Sequence, residues 1–129
     1  MSGASSTFSS PVEVIGSKIY LQHEGMTNPG DLEEIFQYIV ANGKIRRIYS
    51  LSLDCRVEAT CRIIHTDLLN VDTVIASVST GPAEPFKQFF YSLPRDVLAG
   101  ETITVDFEAA DGTPEIDFRL FSELTERDE

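Results

Sequence analysis

The sequence predicts an all-β fold, an eight-stranded antiparallel jelly-roll-like β-sandwich. Its apolar runs are short and are separated by segments rich in Gly, Pro and Asn, which is typical of all-β chains. Within the runs, apolar and polar residues alternate with a period of two, as in strands that bury one face. The length of 129 residues, 42% of them apolar, suits one domain with one core.

Eight segments are predicted as strands: 17–24, 34–41, 44–57, 59–65, 72–79, 86–93, 102–109 and 115–123. In the third segment, the residues predicted to face the core are Ile45, Tyr49, Leu51, Leu53, Cys55 and Val57. In the seventh they are Ile103, Val105, Phe107 and Ala109. Asp111-Gly112 is a strong hairpin signal, and Pro94 is expected to end the sixth segment.

The segment 31–41 fits a helix as well as a strand. Apolar residues recur there at helical spacing, and Asp31 with Glu34 resembles a capping box. Asn42-Gly43 directly precedes a long strand and favours a hairpin, although the same dipeptide also ends helices. Periodicity leaves both open, and the count of eight takes the segment as a strand.

Three regions are predicted along the chain: a flexible N-terminal arm at 1–16, a sandwich domain at 17–124 and an acidic tail at 125–129. The first eleven residues are Ser-rich and uncharged, a composition that buries too little surface to offset the cost of ordering. Because the first sixteen residues lack both a basic start and an apolar stretch, we expect synthesis in a cytoplasm.

The net charge of −11 argues against nucleic acid and anionic membranes as partners. No run approaches the roughly 20 apolar residues that cross a bilayer. Half of the basic residues fall in one stretch: Lys44, Arg46, Arg47, Arg56 and Arg62. They form either a contact face for an acidic partner or a solvated strand face.

The sequence offers no catalytic residues, no metal ligands and no cofactor motif, so we expect a protein that is not an enzyme. His23 and His65 lack the spacing of a metal site, and no P-loop, Rossmann fingerprint or G-x-S-x-G occurs. Cys55 and Cys61 are expected as buried thiols, although a hairpin between them would also allow them to pair.

In the sixth segment, aromatic residues occupy both the odd-numbered and the even-numbered positions. A strand with one face in contact with solvent would carry polar residues at one of these two sets of positions. Cover by a loop or by the arm would explain this, and so would a subunit interface. The candidate interface residues are Phe86, Phe89, Phe90, Tyr91, Phe121, Arg46, Arg56 and Arg62.

Several strand and turn motifs in the second half resemble those of small β-sandwich virion proteins of tailed bacteriophages. These are Ile75-Ala76-Ser77, Thr80-Gly81-Pro82, the aromatic stretch 86–91, Ala99-Gly100-Glu101 and Gly112-Thr113-Pro114. The likeness extends over about residues 17–123, and its motifs are structural turns rather than chemistry. It implies a jelly-roll-like fold and favours a strand at 34–41.

The resemblance also implies a function. We expect a structural virion protein, a capsid decoration or cement protein that binds the major capsid protein or other virion proteins as a homo-oligomer such as a trimer. A tail or baseplate component, or a carbohydrate- or receptor-binding module of the same fold, is the alternative. Made in the host cytoplasm, the protein would reside in the virion.

Overall fold

The chain is built of strands. The computed structural model describes the backbone of residues 12–15 and 18–129, and the side chains of 18–92 and 94–129. The strands are β1 (Val12–Ile15), β2 (Lys18–Met26), β3 (Leu32–Ile39), β4 (Lys44–Cys55), β5 (Ala59–Thr66), β6 (Asp72–Thr80), β7 (Phe86–Val97), β8 (Thr102–Ala109) and β9 (Asp117–Asp128). No helix occurs among these residues, so none there could cross a membrane.

Two antiparallel sheets form the sandwich, in the orders β1-β2-β9-β4-β7 and β3-β8-β5-β6. Within them β2 pairs with β9, β3 with β8, β4 with β7 and β5 with β6. This nested pairing is that of one long hairpin rolled up on itself, with the β5–β6 turn at its tip. The predicted jelly-roll-like sandwich is therefore confirmed.

The core lies between the sheets and consists mainly of apolar side chains, with His23, His65 and Ser122 buried among them. At its centre Phe107 of β8 stacks on Phe118 of β9, with ring centroids 4.0 Å apart. Cys55 and Cys61 are buried as free thiols. Burial raises the pKa of both, which keeps them protonated and unreactive at neutral pH.

A β-bulge in β3 resolves the segment that sequence periodicity left open. Glu34 pairs with Asp106 and Phe36 with Val105, so Ile35 is an extra residue without a partner. Two consecutive side chains, Ile35 and Phe36, consequently enter the core. A strand with this bulge produces the apolar spacing that a helix would also produce.

A second bulge, in β4, corrects the predicted facing of Ile45 and Tyr49. One residue, Tyr49, lies between Ile48 and Ser50, whereas their partners on β9, Leu124 and Glu123, are adjacent. The parity switches at Tyr49, and Ile48 is the fully buried residue. A strict period of two failed here because it allows no inserted residue.

The prediction that Pro94 ends its strand is also wrong. Opposite the β4 bulge, β7 carries three additional residues, since Ile48 pairs with Arg95 and Ser50 with Phe90. Within this irregular stretch Pro94 interrupts no regular ladder pair, and β7 resumes to Val97.

Both chain ends contain more strand than predicted. Residues 12–15, placed in the flexible arm, form β1, which adds a ninth strand against β2. Residues 1–11 and 16–17 of that arm lie outside the described residues. β9 extends to Asp128 across the predicted acidic tail, because the 124–128 segment continues the ladder with β4.

Candidate functional site

The outer face of the five-stranded sheet carries a cluster of aromatic side chains. Tyr20 lies on β2, Phe121 on β9, and Phe86 and Phe90 on β7. Phe86 is 53% exposed and Phe90 66% exposed. We call this surface the aromatic face. Outward positions of an antiparallel sheet are usually polar, so such a cluster on one face indicates a contact surface.

A groove runs along β4 through the aromatic face. Ser52 lines it and Ser50 lies next along the same face of β4; both point outward and are largely covered by the bigger side chains beside them. Ser52 pairs with Phe121 on one side, and Ser50 pairs with Phe90 on the other. Because Ser52 is small and Phe86 and Phe121 are large, a depression forms between these two rings. We call this depression the serine groove.

The groove is partly preformed by contacts among its walls. Tyr20 stacks on Phe121 with centroids 5.8 Å apart and planes inclined by 26°, a diagonal pair across β2 and β9. A depression of about 280 Å³ borders Ser52, Phe86 and Phe121. Gln22 also lines this depression and supplies hydrogen-bonding groups beside the rings.

Charged residues close one end of the serine groove. Arg119 lies 3.2 Å from Asp54, and both side chains remain substantially exposed. Beyond them a wider depression of about 700 Å³ is lined by Glu24, Asp54, Asp117, Arg119 and the exposed Arg56. In the described part of the chain, every Lys and Arg side chain except Arg56 contacts an acidic group or His65.

The three arginines predicted as interface residues are not brought together. Arg46 points between the sheets, 4.3 Å from the centroid of the Tyr38 ring. Arg62 lies on the outer face of the four-stranded sheet and donates two hydrogen bonds to Asp106, of 3.0 and 2.9 Å. Arg56 follows β4 at the end of the sandwich. The basic stretch therefore forms no single contact surface.

The predicted aromatic residues divide between the two sides of β7. Phe86 and Phe90 are on the aromatic face, whereas Phe89 and Tyr91 point inward and pack against the core. Their rings meet edge to face at 4.9 Å. The Tyr91 hydroxyl donates to the carbonyl of Ile75, and burial raises the pKa of this phenol to about 12. Phe89 and Tyr91 are therefore explained by packing against the core, whereas Phe86 and Phe90 are exposed and available to contact a partner.

Sequence reasoning missed Tyr20, Ser50 and Ser52. The alternation of its strand already predicted that Tyr20 faces outward. Its stacking on Phe121, however, depends on pairing between strands that are distant in sequence. The two serines matter because large residues flank them on both sides. Only the register of β4 with β7 and β9 reveals that relation.

The two histidines take structural positions in the fold. His65 Nε2 lies 2.9 Å from Glu101 Oε1, and Arg95 Nε donates to its Nδ1 at 3.1 Å, which places the ring proton on Nε2. His23 lies behind the aromatic face, 5.4 Å from the Phe118 ring. Among the described side chains, no group of three or more His, Cys, Asp or Glu is arranged to hold a metal ion.

Comparison with known proteins assigns no family. No family model matches the chain, and no curated protein matches it either. One similar solved structure is described as "Structure of infectious bursal disease virus Gt strain", with 9% identity and a TM-score of 0.28. The match covers 97% of this chain but only 44% of that one. A likeness this low carries no argument about function.

Proposed function

We propose that this chain is a non-catalytic structural protein of a tailed-phage virion, a capsid decoration protein that docks its aromatic face on a protein of the capsid lattice. The observation that carries the proposal is the exposed aromatic cluster around a preformed groove. The strand and turn motifs that resemble those of small virion sandwiches supply the phage context.

The composition of the aromatic face suits a protein partner. Aromatic side chains bury a large area for little conformational entropy, and they dominate the energetics of protein interfaces. The depression at Ser52 leaves room for a side chain of the partner between Phe86 and Phe121. Since Phe121 is already stacked on Tyr20, docking orders few further groups.

The charges on the same face disfavour nucleic acid. Its basic residues are paired internally: Lys18 with Glu123, Arg47 with Asp96 and Arg119 with Asp54. Phosphate binding needs uncompensated Lys and Arg, and the chain as a whole carries −11. A partner that presents apolar groups with a mixed polar rim fits better.

Decoration would stabilise the particle through the repeated lattice. A protein that binds only the assembled shell shifts the equilibrium toward assembly by mass action. A homo-oligomer that presents several aromatic faces would add avidity across neighbouring capsid subunits. Weak single contacts are then sufficient for stable attachment.

Particles that lack this protein provide the test. We expect the double variant Phe90→Ser/Phe121→Ser to bind such particles at least about tenfold more weakly than wild type, because each lost aromatic anchor costs more than that factor. Leu32→Ser is the matched control, since Leu32 is 57% exposed on the outer face of the four-stranded sheet. Circular dichroism and the urea midpoint verify that each variant is folded.

Unchanged particle binding by the double variant, or an equal loss with Leu32→Ser, contradicts the proposal. Electron microscopy of the reconstituted particles locates the protein. Density on the tail or baseplate instead of the head would mean that the aromatic face binds a tail or baseplate protein, which is the alternative function.

Carbohydrate binding is the second candidate, because the serine groove sets Gln22 and Asp54 beside aromatic walls. Sugars combine apolar ring faces with hydroxyl groups and use such surfaces. Binding of isolated host glycans that is lost in Phe121→Ser, together with normal particle attachment of that variant, would favour this function over decoration.

A further inference from the structure

Three polar side chains tie the two sheets together at one end of the sandwich. His65 lies on β5 of the four-stranded sheet, and Glu101 lies in the turn between β7 and β8. Arg95 lies on β7, the edge strand of the five-stranded sheet. His65 Nε2 lies 2.9 Å from Glu101 Oε1, and Arg95 Nε donates to His65 Nδ1 at 3.1 Å. We call these three residues the histidine clasp.

The hydrogen bonds of the histidine clasp require a neutral imidazole. A guanidinium nitrogen only donates, so Arg95 fixes Nδ1 of His65 as an acceptor. The single ring proton then lies on Nε2, where it faces Glu101. In a doubly protonated ring both nitrogens are donors, and the bond from Arg95 to Nδ1 is lost. Two positive charges would also face each other across the same gap.

The two partners of His65 respond to a second proton in opposite ways. Glu101 is favoured, because its hydrogen bond to Nε2 becomes an ion pair between side chains that are only 10% and 11% exposed. The amide of Leu98 holds the same Glu101 Oε1 in place, at 2.9 Å. Arg95 is disfavoured, and because it is exposed its guanidinium can turn into solvent. Protonation of His65 therefore releases the arginine and keeps the carboxylate.

The other neighbours of His65 on its own sheet do not interfere with this exchange. Across the strands it pairs with Thr73 of β6 and Ile103 of β8, which are not ionisable. Asp67 accepts hydrogen bonds from amides of its own turn, and Asp72 accepts one from a threonine hydroxyl of β5. Both aspartates are thus engaged away from the ring.

The charged and titratable groups beside Arg95 on the opposite sheet are also engaged. Asp96 accepts a hydrogen bond from Arg47 of β4 at 2.7 Å. The Tyr91 hydroxyl donates to the carbonyl of Ile75 on β6 and so forms a second tie between β7 and the four-stranded sheet. Burial raises the pKa of Tyr91 to about 12, so this tie stays uncharged at neutral and acid pH.

We propose that the histidine clasp is a proton-operated switch: neutral His65 holds Arg95, and with it β7, against the four-stranded sheet, and protonated His65 releases Arg95 and loosens β7. Imidazoles in proteins commonly titrate between about pH 5 and 8. The Arg95 bond is present at the alkaline side of the titration and is lost as the pH falls. Since β7 carries Phe86 and Phe90, acid loosens a strand that supports the aromatic face. The switch follows from the clasp itself, whatever the aromatic face binds.

NMR spectroscopy of the full chain from about pH 7.5 to about 5 tests the exchange. We expect the Nε–H signal of Arg95 to shift together with the ring signals of His65, because proton uptake and loss of the hydrogen bond are one event. In His65→Gln, an amide that accepts and donates but does not titrate replaces the ring, so the Arg95 signal should stay constant. His23→Gln removes the other histidine and is the matched control, which should keep the wild-type shift of Arg95.

Substitution of the arginine gives the reciprocal measurement. Arg95→Met removes the group that competes with the proton, so the ring signals of His65 should change at a pH about one unit higher than in wild type. The exposure of Arg95 makes this variant safe for the fold. Arg56→Met is the matched control, because it removes an equal charge beside the opposite end of β5. It should shift the midpoint far less, since solvent and salt screen distant charges.

Hydrogen exchange measures whether the release of Arg95 loosens β7. After correction for the intrinsic effect of pH, protection of the bonded amides at 95–97 should fall about tenfold between pH 7.5 and 5, relative to the amides of β9. A hydrogen bond to a charged group is worth at least that factor. His65→Gln should show no such fall.

Four results would overturn the switch. They are an Arg95 signal that stays constant while His65 takes up its proton, a ring that takes up none while the chain is folded, an unchanged midpoint in Arg95→Met, and equal loss of protection in every strand. A wild-type shift of Arg95 in His65→Gln would assign the response to another group and would also reject it. Failure of particle binding would leave this inference standing, because none of these measurements uses particles.

Discussion

The two sheets present outer faces of opposite character. On the five-stranded sheet, outward positions carry Tyr20, Phe86, Phe90 and Phe121 around two small serines. On the four-stranded sheet, none of the described outward residues is aromatic. Its central rows hold Thr60 bonded to Ser79 and Arg62 bonded to Asp106. The polar side chains of these central rows therefore satisfy one another.

The difference separates residues that stabilise the fold from residues that are available for binding. On the four-stranded sheet, the central cross-strand pairs between polar side chains contribute to folding, and those polar groups are no longer available to a partner. On the five-stranded sheet, exposed rings contribute little to folding and retain an unburied apolar area. This division predicts that substitutions on the two faces act on different measurements.

Adjacent residues of β7 give the largest expected contrast. Phe89 packs inward against the core, so Phe89→Ser should lower the free energy of unfolding by about 2–3 kcal/mol, somewhat less than for a fully buried ring. Phe90 points outward at 66% exposure, and Phe90→Ser should change it by less than about 0.5 kcal/mol. Urea unfolding of both variants measures the difference. Similar losses for both would mean that Phe90 is part of the fold and would break the comparison.

Much of the fold was accessible from the sequence because one face of each strand is buried. The alternation in 102–109 predicted the inward residues of β8 correctly, from Ile103 to Ala109. The prediction of which side chains face the core failed at the bulges. An inserted residue such as Tyr49 exchanges the inward and outward positions for all strand residues on one side of it. No local signal in the sequence marks that insertion.

The next prediction compares two aspartates, one on each face. Asp106 is nearly buried and accepts two hydrogen bonds from Arg62, so Asp106→Ala should cost about 2 kcal/mol of unfolding free energy. Asp54 pairs with Arg119 where both side chains are exposed, and Asp54→Ala should cost at most about 0.5 kcal/mol. Thermal unfolding at constant pH measures both. An Asp54 variant as unstable as the Asp106 variant would show that the five-stranded face also depends on its ion pairs.

The candidate site was only half accessible from the sequence. Phe86, Phe90 and Phe121 were identifiable from the sequence because they are apolar residues at strand positions where the alternation predicts polar ones. That they lie on one face with Tyr20 follows from β9 pairing with both β2 and β4, strands distant in sequence. The basic stretch misled for the same reason: Arg46 and Arg62 are close in sequence, but they lie on strands of different sheets.

The smallest expected effect concerns His23, which lies inside the sandwich behind the aromatic face, near the rings of Phe36 and Phe118. Burial lowers the pKa of His23 in the folded chain below its ordinary value of 6.5. As the pH falls from about 7.5 to about 5, the unfolded chain therefore takes up a proton before the folded chain does, and the free energy of unfolding decreases. His23→Gln cannot take up that proton and should show a shallower decrease than wild type over this range. Gln22→Ala, the outward-facing neighbour, should follow the wild-type profile. Parallel profiles of wild type and His23→Gln would show that the interior behind the aromatic face admits the charged imidazole. The two sheets would then differ in the side chains on their outer faces and not in how the interior behind them tolerates charge.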